Sequence, residues 1–443
     1  MSYFNPCHSL LTQAVLVERY LFLFVDARSK TAVDDLRVGD RINNAMKQAS
    51  SFPIKATLLL ASTLTVMSGA TISPALPAMQ AHFSEVNNVE FWVRLVLTVP
   101  ALFIMIGLPI AGQIVDSFGR KSLLVISTAL YGLAGASGLV LNSLFAILAG
   151  RALLGLAVAG VMVSATTLIT DYYQGDARTN FLGLQAGFMG LGGVLFLSVG
   201  GFIADMSWRF PFGIYLFAWL LLPTMVFALF EPDRSASDEK GAAQASAAMP
   251  IKLLVLLYGA ALVMQLAFYL VPVQMPFFLQ EIAGAGATRS GLAIAFAILF
   301  SAIASIKFSA FKQRFSYIKI LAISFLLMGI GYIGVGLASS YWLVMLVMIP
   351  AGVGLGLLMP NINVWISAEV PDRLKGRALG GVSTFMFLGQ FLSPIVSQPV
   401  SQSVGLAGTY GLAGVALAVV GALVWLFQRQ ICHQVDSRVG QAA

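Results

Sequence analysis

Residues 112–121 read GQIVDSFGRK, placing one carboxylate, Asp116, and two cations, Arg120 and Lys121, in a chain of 443 residues that is only 10% charged. Uncharged or nearly uncharged apolar runs flank the stretch, near 91–113 and 122–141. Each is close to the ~20 residues that a helix needs to cross a ~30 Å hydrocarbon layer. The charged stretch is therefore a tight hairpin between two membrane helices.

The same alternation continues in both directions. Apolar runs fall near 54–78, 144–169, 180–203 and 210–230, then near 252–279, 290–308, 318–338, 341–366, 376–399 and 407–428. With the two runs around the hairpin they make twelve. A chain that is 58% hydrophobic has more apolar surface than one water-soluble core buries. Only helices and closed barrels satisfy every backbone group in lipid, and the alternating ten-residue segments of a barrel are absent. The expected fold is an all-α polytopic membrane protein with twelve transmembrane helices in two pseudo-symmetric bundles of six.

Lysine and arginine set the orientation, since they collect on the cytoplasmic side. With both termini inside, 22 of the 26 cations fall on cytoplasmic segments. Arg94, Arg209 and Arg289 fall outside, and Arg151 lies within a span. The net charge of +7 is thus membrane topology, not a nucleic-acid footprint. The expected location is the inner cell membrane, with lipid bilayer as surroundings and no nucleic-acid partner. Cys7 and Cys432 fall in the cytoplasmic tails at a spacing that suits neither a disulfide nor a metal site.

Residues 1–51 make a poor signal peptide, because SLLTQAVLVERYLFLFV contains Glu18 and Arg19 and no small-residue cleavage site follows. They read either as a cytoplasmic tail or as sequence upstream of an initiator at Met46. Bundles are expected over 52–230 and 251–428, joined by the Ser-, Ala- and Gly-rich linker 231–250, with a second tail at 429–443. A shift of 197 positions lays LGLQAGFMGLGG (182–193) on LGGVSTFMFLGQ (379–390) with six identities, the mark of an internal repeat. The same shift puts Gln313 opposite Asp116, so the second copy lacks the carboxylate.

GQIVDSFGRK resembles the signature loop of the major facilitator superfamily, G-x-L-a-D-r-x-G-R-K, with Gly112, Asp116, Gly119, Arg120 and Lys121 on its defining positions. The resemblance spans about residues 52–428 and implies a transporter that works by alternating access. Glycine at 112 and 119 suits close helix approach and a tight turn. Asp116 is expected at the positive N-terminus of the eleventh helix, preceded by DRLKGRALGG, as the resemblance implies. Asp171, in LITDYY, is placed to pair with Arg120. Together these charges are expected to form a cytoplasmic latch.

Arg151, in GRALLGLAVAG, resembles the arginine of the family's fourth-helix motif, which bears on proton coupling; the bland alternative ties it to backbone carbonyls as a packing device. Gly183, Gly192, Gly200 and Gly201 fit the antiporter motif of the fifth helix, whereas Phe196 and Leu197 replace its Gly-Pro pair. Pro74 and Pro77 in the first span echo Pro272 and Pro276 in the seventh. Where many relatives that carry cations hold an embedded acid, this chain has Ser68 and Thr71, which points to neutral or anionic substrates.

Gln265, Tyr269, Gln274, Asn361, Trp365 and Gln390 are the polar or amphipathic residues at membrane depth, expected to line a substrate cavity or to bond helix to helix. Glu90, Asp205 and Glu281 lie near the outer surface as solvated helix ends or proton ports. No nucleophile stands at matched spacing to a base and no phosphate loop is present, so neither an enzyme nor a cofactor is expected. The expected function is export of small hydrophobic compounds by proton antiport, in the manner of the drug efflux branch. The alternative is proton-coupled import of a small organic solute. A monomer is expected.

Overall fold

The computed structural model describes residues 51–232 and 249–428. The expected tails, apart from Ser51, and most of the expected linker lie outside the described residues, as do Cys7 and Cys432. The described residues from Ala56 onward form one compact unit; Ser51–Lys55, which fall in the other unit, open the first helix.

Eleven helical stretches among the described residues are long and apolar enough to cross a membrane. They run Phe52–His82, Val89–Phe118, Arg120–Leu139, Leu144–Tyr172, Gly175–Ala204, Phe210–Ala228, Ile251–Ala283, Ala287–Ile306, Tyr317–Gly336, Tyr341–Glu369 and Arg373–Leu426. The last is 54 residues long and breaks at Gly405, where φ is 76° and ψ 173°. Glycine alone adopts that backbone cheaply. The break yields an eleventh and a twelfth span, and the twelve match the twelve apolar runs.

Two boundaries differ from the pattern and matter for the site. The second span continues to Phe118, so Asp116 lies in its last helical turn and not in a loop. The connection is the single residue Gly119, at φ 97°, after which the third span begins at Arg120. The first span is broken, with an α-helix to Ala70, a 3-10 turn over Ser73–Ala75 and a short helix over Leu76–His82. Pro74 and Pro77 have no N–H to continue the ladder, which explains the break. The seventh span stays helical through Pro272 and Pro276.

Among the described residues, contacts between the two series of spans are most extensive in two helix pairs, the second with the eleventh and the fifth with the eighth, and the broken end of the first span also touches the seventh and eighth. The repeat shift maps the second span onto the eighth and the fifth onto the eleventh, so these are one contact made twice. At the fifth–eighth crossing the backbones touch. A Cβ on Gly201 would lie 2.8 Å from the Ala287 carbonyl, and one on Gly291 would lie 2.7 Å from the Leu197 carbonyl. The fifth span is buried at Gly192, Gly193, Leu197, Gly200, Gly201 and Ala204, whereas in its first half only Phe181 is buried. The two series therefore meet towards the end of the molecule that carries Glu90 and separate along the fifth span towards the end that carries Asp171.

Candidate functional site

Three polar groupings run from one end of the molecule to the other. At the Asp171 end, Arg120 Nε donates to Asp171 Oδ2 at 3.2 Å. The sequence pattern gave no hint of Glu231, just after the sixth span. Its two oxygens accept from the backbone N–H groups of Arg120 and Lys121 at 2.6 and 2.8 Å. A carboxylate there answers both the unpaired N–H groups and the positive end of the third helix. Gly119 gives it room, since a Cβ would sit 2.9 Å from Glu231 Oε1. Lys121 Nζ donates to the Val226 carbonyl at 2.7 Å, tying the third span to the sixth.

Asp116 is exposed and has no hydrogen bond or ion pair among the described residues. It stands at the negative end of its own helix, a place that disfavours a carboxylate. Gly112 has open space beside it, so the expected close approach there does not occur in this structure. The second and third helices are turned by Gly119 alone.

In the middle, Arg151 is fully buried. It is the eighth residue of its span, about 10 Å from the helix start at 1.5 Å per residue. An arginine at such depth costs at least ~2.5 kcal/mol on insertion scales unless it finds partners. Its Nε donates to the Val96 carbonyl at 3.0 Å and Nη2 to the Ser68 carbonyl at 2.6 Å. The Tyr215 ring centre lies 5.1 Å from the guanidinium carbon, and Nη1 has no partner. The break in the first span makes the capture of Ser68 possible, and the Tyr215 hydroxyl reaches the same carbonyl at 3.3 Å.

From the other half, the Tyr269 hydroxyl presses on the first span where Gly69 leaves space; a Cβ there would lie 2.3 Å from it. Gln390 interacts with Tyr269, and Gln265 packs beside Gly389 one turn away. Of the six residues expected to line a cavity, the structure thus gathers Gln265, Tyr269 and Gln390. Asn361 and Trp365 face the ninth span instead. Asn361 Nδ2 donates to the Tyr317 carbonyl at 3.0 Å, and the Trp365 ring stacks on Tyr317. They bond helix to helix within one half.

Gln274 belongs to the Glu90 end, because the seventh helix continues past the midplane. Arg94 Nε donates to Gln274 Oε1 at 2.8 Å, and Gln274 Nε2 donates to Ser397 Oγ at 3.1 Å. Gln398 Nε2 donates to Glu90 Oε2 at 2.8 Å, joining the eleventh span to the second. Above this network opens a cavity of about 1140 Å³ whose lining includes Glu85, Glu90, Arg94, Glu281 and Gln398. Nearby, Ser73 Oγ donates to the Pro272 carbonyl. Pro276 has no N–H to offer that carbonyl, so the first span supplies the missing donor across the seam.

Asp205 closes the fifth span and reaches the N-terminus of the eighth. It accepts from the Ala287 N–H at 2.7 Å, the Thr288 N–H at 3.0 Å and the Thr288 hydroxyl. Partial burial pushes the Asp205 carboxyl up, but these donors outweigh it and hold it below the usual range. Such a contact stabilises fully above the ordinary carboxylate pKa and is lost as pH falls through the depressed value. Asp205→Ala is therefore expected to melt below the wild type at neutral pH, with the gap closing under acid, below about pH 4. A gap that persisted at the lowest pH would contradict this. Metal-binding clusters are absent among the described residues.

The Major Facilitator Superfamily model matches residues 58–309 and 257–440. The chain is 24% identical over 366 residues to the quinolone resistance protein NorA of Staphylococcus aureus, covering 81% of this chain and 93% of that one. Its fold is similar to that of a D-xylose-proton symporter, with a TM-score of 0.69 at 17% identity, covering 84% of this chain and 97% of the other. It is also similar to a bacterial homologue of the human lysosomal transporter Spinster in an inward-facing and occupied conformation. There the TM-score is 0.67 at 17% identity, with 85% and 96% covered.

Proposed function

The chain belongs to the Major Facilitator Superfamily, a family of transporters, and from that premise we propose that it exports small hydrophobic compounds by proton antiport. In this reading it lies in the inner cell membrane with both termini cytoplasmic, so that the Asp171 end is the inner end. The likeness to NorA supports efflux of drug-like compounds.

One observation carries the mechanism. Two carboxylates stand at the C-terminal ends of two helices, at opposite ends of the molecule. Asp205 is seated on the N-terminus of the eighth span, and Asp116 faces no partner among the described residues. In our reading they are two clasps used in turn. The Asp205 clasp holds the outer end shut while the inner end is open. When the halves rock, Asp116 finds the N-terminus of the eleventh span and Asp205 lets go. A helix-end contact of ~0.3–2 kcal/mol is strong enough to hold a state and weak enough to be reversed by substrate or protons. The Arg120–Asp171–Glu231 grouping keeps the inner clasp in position in both states.

Phe196 and Leu197, standing where antiporters carry Gly-Pro, favour the second reading, proton-coupled import. The test is a susceptibility panel in an efflux-deficient host that expresses the protein, together with accumulation of a fluorescent hydrophobic compound. Export predicts raised resistance and lowered accumulation, both abolished by an uncoupler. Uncoupler-sensitive gain of a labelled nutrient, without resistance, would replace export by import.

A further inference from the structure

Arg151 is a buried cation without a counter-charge. No aspartate or glutamate is buried among the described residues. The acid on its own helix, Asp171, is twenty residues away, about 30 Å at 1.5 Å per residue. Two carbonyls occupy one edge of the guanidinium, and Nη1 remains unpartnered. Arg94, the other arginine buried among the described residues, differs in having Glu90 one turn away on its own helix. Buried charges are retained where they are paired, so the uncompensated one calls for an anion from outside the protein.

The position of Arg151 narrows what that anion is. The carbonyl it holds, Ser68, adjoins Gly69, on which the Tyr269 hydroxyl of the other half rests, with Gln390 beside it. One residue of the first span therefore separates a cation on one half from a hydroxyl and an amide on the other. A small acidic group that enters this seam meets a charged donor and two neutral ones, while the Tyr131 and Tyr215 rings beside Arg151 suit an apolar body.

We propose that Arg151 anchors the acidic end of the transported compound, so that the substrate class is an amphiphile with one carboxylate or equivalent anion, and Tyr269 and Gln390 close on that group from the second half. The proposal rests on the reading of the chain as a transporter of small hydrophobic compounds and names the class within it. It opposes cationic amphiphiles, which would bring a second positive charge to an uncompensated one. It also gives the seam a part in the cycle, because a group held by both halves is released when they separate.

The experiment measures binding to the full-length protein in lipid nanodiscs, without a proton gradient, using three fluorescent probes of equal length: a pyrenyl-alkyl carboxylate, its primary amide and the corresponding amine. The carboxylate is expected to bind at least about tenfold more tightly than the amide, in line with a charge-assisted hydrogen bond, and the amine most weakly. Arg151→Gln is expected to bring carboxylate and amide together, Arg151→Lys to keep part of the preference, and Tyr269→Phe to weaken both probes while leaving their order. Equal or tighter binding of the amine by the wild type overturns the proposal, even if Arg151→Gln fails to fold. An undiminished carboxylate preference in a folded Arg151→Gln overturns it as well. Loss of export in cells with the wild-type ranking intact would sink the efflux reading and leave this one standing.

Discussion

Asp116→Asn is expected to remove most transport while leaving insertion and folding intact. The residue is exposed and has no partner among the described residues, so the substitution takes no contact from the state described. It acts on the alternative state, in which the carboxylate would sit at the N-terminus of the eleventh span. Such a charge is worth ~0.3–1 kcal/mol when exposed and up to ~2 kcal/mol when partly buried. At about 1.4 kcal/mol per factor of ten, the inner-closed population falls roughly two- to thirtyfold. Efflux that passes through that population falls with it. Melting temperature is expected to stay within a degree or two of the wild type, which separates a state effect from a folding defect. Normal efflux by the variant would remove Asp116 from the mechanism.

Gly201→Leu is expected to be as damaging with the opposite bias. A Cβ at Gly201 lies 2.8 Å from the Ala287 carbonyl and 3.3 Å from the Gly291 Cα, both backbone atoms that have no rotamer to yield. The fifth and eighth spans must then separate, and overpacking of this kind costs typically ~1–3 kcal/mol. The separation also draws Asp205 away from the Ala287 and Thr288 N–H groups. The outer end should then stay open and transport should stop. Combined with Asp116→Asn, which pushes the other way, Gly201→Leu should give a state distribution nearer the wild type than either alone. If both single variants favoured the same state, the two-clasp mechanism would be wrong.

The spans were legible because membrane insertion writes itself into length and hydropathy, and twelve runs became twelve spans. Glycine 119 was legible as a turn, since a one-residue reversal at φ 97° admits little else. The closeness of Arg120 and Asp171 was legible from the ends of adjacent spans. Glu231 was not, because nothing near it in sequence announces that the end of the sixth helix returns to the start of the third. The set Gln265, Tyr269, Gln390, Gln274, Asn361 and Trp365 shared a hydropathy signature but not a helix face or a depth. Gln274 sits at the Glu90 end because its helix continues to Ala283, and Asn361 and Trp365 turn towards Tyr317. Depth within a span can be counted from sequence; the neighbour that a side chain faces is set by packing. The clasp formed by Asp205 was hidden for the same reason, since a carboxylate at a helix end looks solvated until the other half supplies the N–H groups it accepts.

The central claim is that the two clasps alternate, and paired distances at the two ends test it most directly. Spin labels on Thr179→Cys and Ser309→Cys would report the Asp171 end, and labels on Ser84→Cys and Gln402→Cys the Glu90 end, in a background with Cys7 and Cys432 replaced by serine. Substrate or a proton gradient should lengthen one distance as the other shortens, and Asp116→Asn should deplete the short Thr179–Ser309 population while enlarging the short Ser84–Gln402 one. Distances that change together at both ends, or that are indifferent to Asp116→Asn, would contradict the account.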